Sequence, residues 1–390
     1  MGTIGSSGKG SLIGDLNLPL MAVIVLLVGY GLIVVSSAVS GSSDYSLKRQ
    51  IFGIGLGVVL MVLIWRFDYR RLADFMWPLL AIDALLLLSP HFPLIGVTSK
   101  GATSWVNIFG FQFQPGEPAK IVTILLVAAT VSRYHGHLDS GSEYLKVLGI
   151  CAVPFLCIMS QPDLGSGLVI LIICAGILFV GGANRKWLLL TIAVGIVGIA
   201  AILILDPILD AAAGTDVFMK DYQMNRLLVF LDEDLDPSGA GYNLKQAKIA
   251  IGSGGFLGKG YGNSTQATLG FLPEAPTDFI FCVLAEEFGF LGAFVLLLLY
   301  AGLFFVTFDI ASRSCDLFGS LIVTGVISMW TFQILDTIGM DCGRMPITGI
   351  PLPFMSYGSS FMLVNFMAIG LLLSVWRFRS SAATRRTAKS

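Results

Sequence analysis

Residues 273–308 read PEAPTDFIFCVLAEEFGFLGAFVLLLLYAGLFFVTF. Between Phe279 and Phe308 the only charges are Glu286 and Glu287. A hydrocarbon core about 30 Å thick needs roughly 20 apolar helical residues, so 278–308 is a membrane span with length to spare. Pro273 and Pro276 hold an extended approach. Thr277 is the expected helix cap, which puts Asp278 at the first helical position. Glu286 and Glu287 follow eight and nine residues on, about 12 Å deeper at 1.5 Å per residue. They are expected to face a cavity or a partner base.

The same kind of run recurs on both sides, at 19–39, 50–66, 74–90, 117–133, 145–160, 164–183, 187–205, 317–340 and 355–376. Ten spans result, and the expected fold is an all-α polytopic membrane protein. Composition agrees: of 390 residues 55% are hydrophobic and 13% charged, with a mean hydropathy of +0.83. A soluble domain carries about 25% charged residues, and a disordered chain would have few apolar ones. The chain reads as one domain, 1–390, without visible self-similarity between its halves. The first run is followed by another run, so a span is favoured there over a cleaved signal.

Net charge is −1, and there is no basic arm or aromatic-basic stripe, so nucleic acid is not an expected partner. The six cysteines form no close CxxC pair and lie mostly in apolar runs, against a disulfide framework or zinc site. His135-Gly136-His137 reads as a solvated loop. The distribution of Lys and Arg sets orientation. Arg66, Arg70, Arg71, Arg133, Lys146, Arg185, Lys186, Arg313 and the basic tail 377–390 fall on one face if there are ten spans. Lys100 and Arg344 are isolated on the other. Both termini, including the 1–18 tail, are therefore expected in the cytoplasm. The long segment 206–277, between spans seven and eight, is expected outside. It holds nine acidic and five basic residues, and its length and glycine content suit an active or gating element.

Charge inside a span costs roughly 2.5–3.5 kcal/mol, which makes such residues functional candidates. Gln114-Pro115-Gly116-Glu117-Pro118-Ala119-Lys120 opens span four. Glu117 and Lys120 share a helix face, either as a structural ion pair or as the lining of an outward-facing cavity. Gln161-Pro162-Asp163-Leu164-Gly165 opens span six, where Asp163 suits the helix dipole and capping alone accounts for it. Asp278 has a capping reading as well, but sits at headgroup level. The segment Gly252–Gly260 fails the phosphate-loop pattern at Ser253 and Gly260. It reads as a flexible outer loop able to approach a lipid diphosphate.

Taken in order, these pieces resemble the SEDS family, which includes RodA and FtsW. The matching segments are QPGEPAK at 114–120, QPDLG at 161–165, Tyr222-Gln223 with Arg226, Gly241-Tyr242, Gly252–Gly260, PEAPTDFIF at 273–281, AEEFGFLG at 285–292 and PITGIPLPFMSYG at 346–358. The resemblance implies a ten-span peptidoglycan glycosyltransferase of the bacterial cytoplasmic membrane. It would polymerise lipid II, the polyprenyl-linked disaccharide-peptide precursor, on the outer face beside a class B penicillin-binding protein. It also implies that Asp278 is the catalytic residue, with Glu117 and Lys120 nearby. Gly116, Thr337, Asp341, Arg344 and Ser359 depart from the family pattern. AEEFGF and YQMNRLLVFLDED lean to the elongation branch, RodA, while GNSTQ at 262–266 blurs the choice.

The expected chemistry is glycosyl transfer with inversion. A sugar hydroxyl needs a base to take its proton, a role worth roughly 10²–10⁴-fold, and Asp278 is the candidate. Glu117 and Lys120 would orient it or the sugars. Arg226, Lys245, Lys248 and Lys259 would face the leaving diphosphate, with a divalent cation, Mg or Mn, as an optional alternative. Asp163, Glu274 and Ser356 complete the supporting set. A lipid II flippase using Asp83, Glu286 and Glu287 is the main competing function. A scaffold without activity is a third, and leaves the intramembrane charges unexplained.

Overall fold

The computed structural model describes residues 16–40, 45–99, 102–108, 111–161, 163–213 and 221–387. Most of the expected 1–18 tail, Lys100, Pro162, Lys220 and the last three residues of the basic tail lie outside that set. The helices are α1 Leu18–Ala38, α2 Leu47–Arg66, α3 Met76–Leu88, α4 Gly116–Ser132, α5 Gly141–Met159, α6 Leu164–Val180, α7 Arg185–Ala213, α8 Asp221–Leu231, α9 Ala240–Gly254, α10 Thr265–Thr268, α11 Ile280–Ser312, α12 Leu317–Asp341 and α13 Ser359–Thr387.

Each of the ten apolar runs falls on a helix. Among the described residues, seven helices (α1, α2, α5, α7, α11, α12 and α13) are long and apolar enough to cross a membrane. α3 and α6 are shorter apolar helices. α4 is 17 residues long. It is covered on nearly every side because α3, α6, α12 and α13 surround it.

The expectation of a purely helical chain needs one correction. Between α3 and α4 lies an antiparallel sheet of β1 Gly96–Ser99, β2 Ala102–Ile108 and β3 Phe111–Phe113, in the order β1-β2-β3. Val97 pairs with Trp105, and Val106 with Phe113. The 206–277 segment is also more regular than a loop: α7 runs on to Ala213, and α8, α9 and α10 follow.

Helices in lipid gain little from excluding water, so close van der Waals packing decides which pairs form. α2 lies along α13, α12 along α4 and α6, and α11 along α1 and α9. Gly57 of α2 leaves room for Phe366, whose ring would stand 2.6 Å from an added Cβ. Gly325 of α12 does the same for Ile124, at 2.7 Å. Caps fix the ends. Asp316 Oδ1 accepts the Gly319 amide at 2.6 Å, while its Oδ2 accepts the Tyr69 hydroxyl at 2.8 Å.

Candidate active site

The approach to α11 is a tight turn and not a simple cap. Glu274 takes φ +60°, and its carbonyl accepts the amides of Thr277, Asp278 and Phe279 at 3.1, 3.1 and 3.3 Å. The helix starts at Ile280 with Phe279 as its cap residue. Thr277 is therefore not the cap, and Asp278 stands just before the helix, half-buried on a turn. The Thr277 hydroxyl donates back to the Glu274 carbonyl at 3.2 Å.

Asp278 is met from α8 and from the 346–358 segment. Arg226 Nη1 donates to the Thr348 carbonyl at 3.4 Å. The next residue, Gly349, has φ +72°. A Cβ there would lie 3.1 Å from Asp278 Oδ2 and 3.5 Å from Arg226 Nη1. Carboxylate and guanidinium thus converge on one glycine, where the positive φ and the crowding of the Asp278 carboxylate both disfavour a side chain. The Thr348 hydroxyl donates to Asp336 on α12. Tyr45 donates to Glu274 Oε2 at 2.8 Å. Burial, and then that hydrogen bond, push the Tyr45 phenol far above its usual range, and the negative charge of Asp278 adds to the effect.

The turn is held from behind. The Tyr357 amide donates to the Pro276 carbonyl at 2.8 Å, and the Tyr357 ring meets Tyr45 edge-on with centroids 5.1 Å apart. Gln50, buried on α2, clamps the same strand of chain. Its Nε2 donates to the Ser356 carbonyl at 3.2 Å, and its Oε1 accepts the Gly358 amide at 2.9 Å. Ser356 itself closes a local turn, its Oγ accepting the Leu352 amide at 2.7 Å. Thr337 Oγ1 donates to the Ile350 carbonyl at 2.7 Å.

The remaining candidates are held by other partners. Lys120 donates to Glu117 Oε1 at 2.6 Å, both side chains buried, and Glu117 Oε2 has no hydrogen-bond partner among the described residues. The hydrogen bond of Lys120 runs to Glu117 and not to Asp278. Asp163 caps α6 through Ser166 N at 3.0 Å and accepts from Gln114 Nε2 at 3.1 Å, joining the two Gln-Pro segments. Lys245 pairs with Asp234, and Lys248 with Glu233. Lys259 donates to Glu286 Oε1 at 2.6 Å. Of the four expected diphosphate bases, Arg226 stands beside Asp278, and the three lysines are engaged by acids.

Glu286 and Glu287 do not line a passage. Glu286 accepts from Lys259, from the Ser264 hydroxyl at 2.7 Å and from the Thr265 amide and hydroxyl at 3.0 and 2.6 Å. Glu287 accepts from Ser37 and from the Gly262 amide. The partner base expected for this pair is Lys259. Among the described residues, no three His, Cys, Asp or Glu side chains gather into a metal cage.

Tyr45, Gln50, Thr348, Gly349 and Tyr357 were not singled out from sequence. Gln50 carried a readable signal, an amide at the edge of an apolar run that has to find partners.

Residues 18–381 match the family described as Cell cycle protein, comprising FtsW, RodA and SpoVE. The chain is 35% identical over 370 residues to Stage V sporulation protein E of Bacillus subtilis (strain 168), covering 93% of this chain and 97% of that protein. It is 38% identical over 366 residues to Peptidoglycan glycosyltransferase MrdB of Escherichia coli (strain K12), covering 93% and 94%. One similar solved chain comes from work on how a peptidoglycan synthase complex coordinates polymerization and crosslinking. Its TM-score is 0.75 at 30% identity, with 93% of this chain and 98% of that one covered. The Thermus thermophilus rod shape determining protein RodA superposes with a TM-score of 0.68 at 28% identity, covering 93% and 97%. Matched over all but its two ends, the chain belongs to the FtsW, RodA and SpoVE family of cell cycle proteins.

Proposed function

We propose that this protein is a peptidoglycan glycosyltransferase that joins lipid II units at the outer face of the bacterial cytoplasmic membrane, in the elongation branch of its family. It crosses the membrane ten times with both termini in the cytoplasm, and works beside a class B penicillin-binding protein. The observation that carries the reading is the convergence of Asp278 and Arg226 on Gly349, an acid and a fixed cation at one corner. The glycosyltransferase name of the MrdB relative supports the activity. The synthase complex supports a crosslinking partner, and the one-sided Lys and Arg distribution supports the orientation.

In the reaction the acceptor hydroxyl oxygen attacks the anomeric carbon of the donor. The bond from that carbon to the diphosphate oxygen breaks, and the diphosphate leaves with the electron pair. Asp278 takes the hydroxyl proton. The Arg226 guanidinium faces the negative charge that grows on the leaving oxygen. An apolar groove of about 470 Å³ lined by Leu60, Phe113, Pro118, Leu363, Val364 and Met367 suits a polyprenyl tail. Glu117 and Lys120, flanking Pro118 in sequence and paired with each other, would orient the base or the sugars.

The test is polymerisation by purified protein, with and without its partner, from lipid II. Asp278→Asn is expected to insert and bind its partner normally and to make no glycan chains. Chains at the wild-type rate from that variant would remove Asp278 from the mechanism.

A further inference from the structure

α11 is broken nine residues after its start. Gly289 has φ 62° and ψ −161° inside an otherwise helical run. A break frees backbone groups that lipid cannot satisfy, and here the chain after α9 satisfies them. Phe290 N donates to Gly255 O at 2.9 Å, and Leu291 N to Phe256 O at 3.1 Å. In return, Lys259 N donates to Glu286 O at 3.0 Å, and Gly260 N to Glu287 O at 2.9 Å. The two backbones touch. A Cβ on Gly289 would lie 2.3 Å from Gly258 N, and one on Gly258 would lie 2.1 Å from Glu287 O.

Two yardsticks give the level of this splice. α1 has 21 residues, about 30 Å of helix, which matches a hydrocarbon core. Its last turn reaches the splice: Ser37 donates to Glu287, and the Ser36 and Tyr261 hydroxyls are 2.8 Å apart. On α11, the uncharged run from Phe290 to Phe308 ends at Asp309 and is about 28 Å long. Both measures put the break, and with it residues 255–262, at the boundary between headgroups and acyl chains.

The outer skin of the splice is apolar. Phe256 is 66% exposed and Leu257 71%. Phe256 stacks on Phe290 at 5.8 Å, and Phe290 on Phe294 at 6.2 Å. These rings form a column continuous with the exposed apolar face of α11 below the break. Its polar content, the Glu286 carboxylate and the shared amides, is turned inward and paired.

We infer that residues 255–262 are a membrane-seated element, with Phe256 and Leu257 among the acyl chains of the leaflet on the Asp278 side. The segment expected to lie wholly outside thus returns to the bilayer beneath the catalytic turn. Lipid is favoured over a protein partner because the column continues a surface that faces hydrocarbon along the rest of α11. The choice of leaflet rests on the proposed orientation; the contact with lipid does not.

The experiment is photocrosslinking of the full chain in vesicles of phosphatidylethanolamine and phosphatidylglycerol. Phe256→p-benzoylphenylalanine and Leu257→p-benzoylphenylalanine are compared with Asp234→p-benzoylphenylalanine, whose position is 83% exposed on the same segment. Adducts of phospholipid mass are expected at 256 and 257, with background at 234. Background at all three positions, or equal lipid adducts at all three, overturns the inference. Repeating the irradiation in native membranes separates the rival occupant: a protein adduct replacing the lipid adduct at 257 also overturns it. None of these readouts depends on polymerisation, so failure here and failure of Asp278 as the base are distinguishable.

Discussion

Asp278 and Glu286 lie eight residues apart in one stretch of chain, and their surroundings are opposite. Asp278 is half-buried on a turn before the helix, with Arg226 close by at Gly349 and two phenols, Tyr45 and Tyr357, behind the turn. Glu286 is buried within the helix and saturated by Lys259, Ser264 and Thr265. One acid stands at the corner where the proposed reaction takes place, while the other holds a loop. The type of residue does not separate the two roles. What surrounds each carboxylate does: a turn that meets α8 and the 346–358 segment at Gly349 for one, and the chain after α9 for the other.

That contrast is most exposed to a paired substitution. Asp278→Asn removes the proposed proton acceptor while keeping shape, and polymerisation is expected to fall by at least about 10²-fold with the melting temperature in detergent unchanged. Glu286→Gln turns one acceptor oxygen into a donor facing the Lys259 ammonium and the Thr265 groups. Removing one partner of such a pair costs on the order of 3 kcal/mol, and the loss is expected in thermal unfolding before it appears in turnover. If Glu286→Gln silenced the enzyme at wild-type stability, the division of roles would be wrong.

Gly349→Ala probes the corner from the backbone side. At φ +72° a side chain costs about 1–2 kcal/mol, and the new methyl would press on Asp278 Oδ2 at 3.1 Å. A shift of the base by about 1 Å can cost on the order of 10²-fold in rate. The expected signature is a turnover loss larger than the stability loss accounts for, measured by single-turnover kinetics beside a melting curve. A variant that loses only stability would make Gly349 a backbone requirement and nothing more.

How much of this was readable beforehand varied with the distance over which each feature is decided. Apolar runs are local, so all ten appeared as helices, and Asp278 announced itself as a charge at the mouth of one. The sheet at 96–113 escaped because its strands are four, seven and three residues long, too short for a period of two to stand out between spans. The partner of Lys259 is 27 residues away, and Gln50 grips chain more than 300 residues on. Such pairings follow from the fold and leave no spacing pattern. The cap at Thr277 was misplaced because the Glu274 carbonyl, through a positive φ, takes the Phe279 amide that a capping threonine hydroxyl would accept, and the Thr277 hydroxyl donates back to that carbonyl instead.

Gln50 gives a smaller effect that sharpens the account of the corner. Gln50→Glu keeps the acceptor for Gly358 N and loses the donor to the Ser356 carbonyl, and Gln50→Leu loses both. Because Tyr357 links that strand to Pro276, two residues before Asp278, slackening it loosens the base without touching the substrate. The expected result is a fall in kcat of about tenfold for Gln50→Leu, a lesser one for Gln50→Glu, and KM unchanged in both. A rise in KM alone would show that Gln50 shapes a binding surface instead.

The smallest expected effect belongs to a residue that sequence reasoning assigned to the diphosphate. Lys245 is held by Asp234, whose hydrogen bond keeps the ammonium above its ordinary range while the carboxyl is held below its own. Asp234 has the lowered value, so what the pair contributes is present above the unfolded carboxylate range and fades as pH falls through the folded one. That contribution is small, because the pair is open to water and screened by salt. Lys245→Ala is therefore expected to leave KM for lipid II, kcat and the melting temperature at wild-type values at neutral pH. Arg226→Ala, which strips the cation from the Gly349 corner, is expected to lower kcat. If the lysine variant instead raised KM as much as loss of Arg226 lowers turnover, the diphosphate would have to be shared between α8 and α9, and the division between an active corner and a structural loop would move with it.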